Sequence, residues 1–218
     1  MNKIDFLVFH HSGGLGDNLY ASTKNLTAEH IDNAHRLRWP NFISQTGWFI
    51  GYTGLIFPSG EILQTRLVGE ETAAVKGSNK ISSSWCVLGN FTFNKDLDPV
   101  DYPTKEQIRS IAQIEEAYLN RDFKKLGLKI ALNTEINVQF KNIVPHRVLQ
   151  LTDCYGNVLD NIWGRDLYIR YLHERISLIE RLILQMIDAR RKLGTSFDGM
   201  AMKLGAKVEP CWESNNRD

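Results

Sequence analysis

The stretch that most constrains the fold is a short run near the N-terminus. Residues Ile4–Phe9 (IDFLVF) are nearly all apolar, too few for an independent helix, and flanked by polar residues. That pattern reads as a strand. A strand with apolar side chains on both faces needs cover on both, which predicts an α/β domain with helices flanking a central mixed β-sheet. His10 and His11 stand at its C-terminal end, followed by Ser12-Gly13-Gly14. Successive strand side chains point to opposite faces, so at most one of these histidines should face a site at the strand exit.

The rest of the chain supplies the layers. Residues 22–38 carry a helix signal with Thr27 as its cap and His35 on a later turn, read as a surface or packing histidine. Trp48–Phe57 (WFIGYTGLIF) reads as a central strand containing Tyr52, followed by a turn at Pro58-Ser59-Gly60 and a second strand, Glu61–Leu67. Trp85–Leu88 is a short buried strand in which Cys86 packs as a small hydrophobe. Thr104 and Gln107 form a capping-box pattern that opens a helix to about Leu119. Leu126–Leu132 reads equally as a strand or an extended segment.

The longest helical pattern comes last. Ile169, Leu172, Ile176, Ile179, Ile183, Met186 and Ile187 make one apolar stripe through roughly 166–193. Such a helix is roughly 40 Å long, and its interspersed charges argue against membrane insertion. The stripe suits packing on the domain, or contact with a protein partner or a second copy. Two regions are therefore expected: a domain over 1–163, then the long C-terminal helix and a weakly structured tail over 164–218.

The balance of charge narrows the partners. A formal net charge of +1 gives no dedicated nucleic-acid footprint. The three cysteines, Cys86, Cys154 and Cys211, make no disulfide framework. No signal-peptide pattern and no apolar run of membrane-spanning length is present, so a cytoplasmic chain as synthesised is expected, with any action on a cell wall following release or assisted export.

One loop carries concentrated chemistry. PHRVLQLTDCYG (145–156) sets His146 and Cys154 eight residues apart. Such a pair can be two ligands of a zinc-type metal, a Cys/His nucleophilic pair, or a loop histidine and a buried thiol. A histidine at the exit of the first strand would complete a His2Cys set with an open fourth position, the pattern of catalytic rather than structural zinc.

Several ordered pieces resemble the type-2 N-acetylmuramoyl-L-alanine amidases, the group that includes phage amidase-type lysozymes and peptidoglycan recognition proteins. VFHHSGG (8–14) is similar to the strand whose first histidine binds zinc. IGYTGLIFPSGEI (50–62), AAVKGSNKISSSWCVLGNF (73–91), PTKEQI (103–108) and PHRVLQLTDCYG (145–156) follow in the family order. Together they span roughly residues 4–160. The resemblance implies zinc held by His10, His146 and Cys154, with Tyr52 as the catalytic tyrosine. Thr152 falls where members place a lysine or threonine near the substrate carbonyl, and it offers a hydroxyl but no positive charge.

The chain departs from the family pattern at Thr53 and Ala74, where members have histidines. It departs also at Ser82-Ser83-Ser84 and at Val148. None of these removes a ligand, and an altered substrate groove is the expected consequence. The implied activity is zinc-dependent hydrolysis of the amide between N-acetylmuramic acid and L-alanine, in an endolysin-like or recycling role. Glu61, Glu70 and Glu71 are only weak candidates for a general base. Two alternatives belong to other classes: a non-catalytic peptidoglycan-recognition module, and the same fold acting on a different amide with helix 166–193 as a partner-binding element.

Overall fold

A computed structural model of the chain describes residues 2–150, 152, 154, 156, 158, 159 and 185. The chain divides into two compact units, Met1–Leu167 and Tyr168–Asp218. The helix expected over 166–193 and the tail beyond it lie outside the described residues, apart from Gln185. No helix among the described residues is long and apolar enough to cross a membrane.

The first unit is built on the apolar N-terminal run, which proves to be two strands. Strand β1 (Asn2–Ile4) breaks at Asp5, and β2 (Phe6–His11) continues into a different sheet. The break has a polar cause: the Asp5 carboxylate accepts from Asn137 Nδ2 at 3.0 Å, and its carbonyl accepts from Asn142 Nδ2 at 2.9 Å. β1 pairs in parallel with β6 (Thr134–Ile136), whereas β2 pairs in parallel with both β5 (Ser82–Val87) and β7 (Ile143–Pro145). Two further strands, β3 (Gly54–Ile56) and β4 (Ile62–Gln64), form an antiparallel hairpin at the other edge. The five-stranded order is β4-β3-β5-β2-β7, a mixed sheet with β2 and β5 at its heart.

Each face is covered by one helix, as the two-faced apolar run requires. Helix α2 (Lys105–Asn120) lays Ile108, Ile111, Ile114 and Tyr118 over Leu7, Phe9, Trp85 and Val87. Helix α1 (Ala28–Arg38) packs Ala28 and Ile31 against Ile50, Leu55 and Cys86 on the opposite face. Both helices start at the expected threonine, Thr27 or Thr104, in a complete capping box. Alternation along β2 sends Leu7 and Phe9 to the α2 side and Val8 and His10 to the other. His11 therefore turns away from His10; its Nδ1 accepts from the Phe91 amide at 3.2 Å and its ring stacks on Phe91.

The central strand expected over 48–57 is mostly not strand. Only Gly54–Ile56 joins the sheet, so Tyr52 stands on a bent segment before β3 rather than within it. Side chains of α1 hold that segment instead of a ladder. Asp32 accepts from the Phe49 amide at 2.5 Å, and His35 Nδ1 accepts from the Gly51 amide at 3.0 Å. Elsewhere β5 starts at Ser82, three residues earlier than expected, with all three serines buried. Residues 126–132 contribute one isolated bridge, Ile130 to Val68, and β6 and β7 were not anticipated.

Arg66, fully buried, holds the approach to Tyr52. Its Nε donates to the Ile50 carbonyl at 2.7 Å, Nη2 donates to the Phe42 carbonyl, and Nη1 donates to Glu71 O and Glu70 Oε1. The guanidinium lies 3.9 Å from the Phe42 ring centroid. Removing it strands several buried acceptors and one carboxylate. Arg66→Ala should lower unfolding stability by about 3 kcal/mol in urea titrations, and Arg66→Lys should not restore it because an ammonium cannot reproduce the fork.

Candidate metal centre

The site begins with strand register. Phe9 of β2 faces Pro145 of β7, so the next residues, His10 and His146, emerge together at the C-terminal ends of adjacent parallel strands. Their rings lie 4.5 Å apart between centroids. His146 opens a short helix, α3 (His146–Leu149), rather than sitting in a plain loop. The mouth of a parallel sheet is where open α/β domains generally keep their ligands.

Cys154 completes the group from outside the sheet. Its backbone N–H donates to Thr152 Oγ1 at 3.1 Å, a local turn that fixes the thiol. Gly156 brings this turn against the exit of β5: at φ +75°, an added Cβ would lie 2.2 Å from the Phe91 carbonyl oxygen. Arg147 Nη2 donates to the Gly156 carbonyl at 3.2 Å, tying the residue after His146 to the turn that carries Cys154. Cys154 Sγ comes to 3.6 Å from His10 Nδ1.

One ligand atom from each of His10, His146 and Cys154 lies within 4.8 Å of the others. Tetrahedral zinc with bonds of about 2.05 Å to nitrogen and about 2.3 Å to sulfur requires an N···S edge of about 3.6 Å, the separation found between His10 and Cys154. His10 Nε2 and His146 Nδ1 are buried with no hydrogen-bond partner. Buried polar atoms ordinarily find partners; His10 meets Cys154 through its other nitrogen, Nδ1, so of these two it is His146 Nδ1 that is free to serve a cation beside His10 Nδ1 and Cys154 Sγ. Burial is the main cause that holds His10 well below the usual histidine range, with His146 and His11 adding to it. Burial also lowers His146, against the hydrogen bond it makes to the Gln150 side-chain oxygen, which raises it. Both imidazoles are thus kept neutral, the form that binds metal.

Tyr52 flanks the cluster, its ring 5.2 Å from that of His10 and 5.6 Å from that of His35. The segment is anchored on every side: Thr65 Oγ1 donates to the Tyr52 carbonyl at 2.9 Å, and the Thr53 amide donates to the Ser84 carbonyl at 2.7 Å. Burial, with lesser contributions from Cys86 and Cys154, pushes the Tyr52 phenol well above its usual pKa. It remains a protonated donor at neutral pH. Thr152 lines the same cleft.

These residues floor an open cleft of about 970 Å³. Arg38 and Lys76 bring positive charge to its walls, and no Asp or Glu lines it among the described residues. Glu61, Glu70 and Glu71 are all absent from the lining. Glu70 is committed to structure, accepting from the Gln45 and Leu67 amides as well as from Arg66. One rim of the cleft is carried by Leu19 and Tyr20, behind which Asn90 Nδ2 donates to the Leu19 and Ala21 carbonyls and Asp101 accepts from the Thr23 amide.

The departures at Thr53 and Ala74 have different meanings. Thr53 is 1 % exposed and stays out of the cleft. Its hydroxyl accepts from Ser83 Oγ at 2.9 Å and from the Ser84 amide at 3.1 Å, while Ser83 also bonds the Tyr118 hydroxyl. Ala74, by contrast, lines the cleft. Sequence reasoning missed Gln150, whose side chain meets His146; the i, i+4 spacing on a helix was the available signal. His35, expected as a surface or packing histidine, does pack against Trp39 and Tyr52, and it also lines the cleft.

No protein-family model and no curated protein matches this sequence. Among solved structures, the chain is similar to the N-acetylmuramoyl-L-alanine amidase LysC from Clostridium intestinale URNW, at 20% identity over 75% of this chain and 85% of that one, with a TM-score of 0.48. It is also similar to the Ph2119 endolysin from Thermus scotoductus MAT2119 bacteriophage Ph2119, at 16% identity over 72% and 80% of the two chains, with a TM-score of 0.49. A third is PGRP-SA of Apis mellifera, at 17% identity over 76% and 84%, with a TM-score of 0.49.

The neutral histidines make the fold acid-sensitive. Burial lowers both His11 and His35 to about 4, against an unfolded value of 6.5. Between those values the unfolded chain binds more protons than the native one, so stability should rise with pH across that window and be lost as pH falls from 6.5 towards 4. Urea midpoints of metal-free protein at a series of pH values should show this slope, and His35→Gln should flatten it.

Proposed function

We propose that the chain is a zinc-dependent amidase that hydrolyses the amide bond between N-acetylmuramic acid and L-alanine in peptidoglycan or muropeptides. The observation that carries this reading is the convergence of His10, His146 and Cys154, with His146 Nδ1 buried without a hydrogen-bond partner, on the floor of an open cleft beside Tyr52. The order of motifs from residue 8 to residue 156 supplies the substrate class. Its working place is the cell wall, reached after release or export.

His10, His146 and Cys154 would hold the ion, and three protein ligands leave a fourth position open. Zinc there supplies Lewis-acid polarisation of a carbonyl and a water acidic enough to react at neutral pH. The protein's own groups do the rest. Tyr52, kept protonated by burial, offers its hydroxyl to the oxygen on which negative charge develops, a preorganised donor of the oxyanion-hole kind. Thr152 presents a hydroxyl close to Cys154, suited to orienting the substrate carbonyl but not to neutralising charge. Arg38 and Lys76 favour a substrate carrying carboxylates, as peptide stems do, and the acid-free walls avoid repelling them.

Purified protein should contain about one zinc per chain and release free stem peptide from defined muramoyl peptides. Cys154→Ala should lose both metal and product. Tyr52→Phe should keep the metal and lose about 10²-fold or more in kcat. Equal product release by wild type and Cys154→Ala, or none from zinc-loaded wild type, rejects the amidase; binding without release would assign the fold to recognition.

A further inference from the structure

Resting on the metal-centre reading above, we propose that Gln150 is a positioning residue for the His146 ligand. Its side-chain carbonyl selects the Nε2–H tautomer, leaves Nδ1 bare for the ion, and joins that ligand to the cleft wall at Lys76.

Three contacts determine the arrangement. Gln150 Oε1 lies 3.3 Å from the Lys76 backbone nitrogen, which can only donate. The amide is therefore oriented with its oxygen towards Lys76; the flipped form would set an NH2 against an N–H. The same oxygen lies 3.1 Å from His146 Nε2. An acceptor at that distance requires a proton on Nε2, and a neutral imidazole then carries none on Nδ1. Nδ1 is the nitrogen of His146 that is buried without a partner. Gln150 itself is held at the end of α3 by its amide, which donates to the His146 carbonyl at 3.2 Å.

The link also organises the wall. Asn79 Oδ1 accepts from the amides of Ala74 and Val75 at 3.0 and 2.7 Å, and Gln150 takes the next amide, Lys76. Three consecutive N–H groups are thus held by two side-chain carbonyls, one of which also holds a metal ligand. Partners of this kind on a metal-bound histidine fix its tautomer and ring plane, and their loss typically costs 10–100-fold in metal affinity.

The test measures zinc affinity at pH 7 by competition with a chromophoric chelator, for wild type, Gln150→Ala, Gln150→Glu and Cys154→Ala. Thermal unfolding of the metal-free forms is followed alongside. Gln150→Ala should bind zinc about 10–100-fold more weakly with an unchanged metal-free midpoint. Gln150→Glu keeps the acceptor, and should match or exceed wild type. Nitrogen-15 spectra of metal-free protein should show His146 protonated on Nε2 in wild type and as a tautomer mixture in Gln150→Ala, with faster hydrogen exchange at Lys76. Equal zinc affinity in wild type and Gln150→Ala, while Cys154→Ala loses binding, overturns the inference and leaves the metal centre standing. So does a wild-type His146 protonated on Nδ1. Failure of wild type to bind zinc overturns both readings.

Discussion

Everything at the site depends on the parallel register of β2 with β7. Pairing Val8 with Val144 and Phe9 with Pro145 brings the strands to a common end, and the next residue on each is a histidine. A slip of one residue would turn His10 to the α2 face, into the space of the main core, and pull it away from His146. The register is protected by what lies on both sides of β2: Leu7 and Phe9 are completely buried under α2, and Val8 is buried with Val144 and Val75 on the other face. The apolar run that makes the strand unavoidable therefore also aims its terminal histidine. Core packing and the meeting of His10 with His146 have the same origin.

A second constraint concerns polar groups inside the sheet. A histidine at position 53 would have to be accommodated in the interior, where a threonine now accepts from Ser83 and from the Ser84 amide. Ser83 in turn meets Tyr118 of α2, whose hydroxyl also accepts from Trp85 Nε1 at 3.3 Å. Thr53 and Ser83 are thus coupled within the sheet. The Thr53 and Ser83 hydroxyls are tolerated in the interior because each is hydrogen-bonded. The network fixes the backbone of residue 53, and with it the neighbouring Tyr52.

How much of this could be read beforehand follows from which interactions are local. Thr27 and Thr104 announced their helices because a cap is a contact within four residues, and the two-faced run at 4–9 announced a covered sheet. His10, His146 and Cys154 were found through the order of motifs, since nothing in their spacing shows that residues 144 positions apart meet. The strand expected at 48–57 failed for the same reason. Trp48–Thr53 has strand composition, but Asp32 and His35 of α1 capture its amides, and such long-range competition leaves no trace in local hydropathy. Gln150 was overlooked because its second partner, the Lys76 amide, lies in a segment remote in sequence.

The position of each departure within the fold decides what it can alter. Thr53 is sealed in the sheet and Val148 is 60% exposed on α3 without lining the cleft. Of the changed positions, Ala74 alone opens onto the cleft, next to Val75 and Lys76 on the wall that Asn79 and Gln150 hold. Its side chain is small, and the same wall carries the charge of Lys76. The floor holds His10, His146 and Cys154 beside Tyr52. Of these departures, only Ala74 is therefore placed to reshape the cleft, through the 73–77 wall.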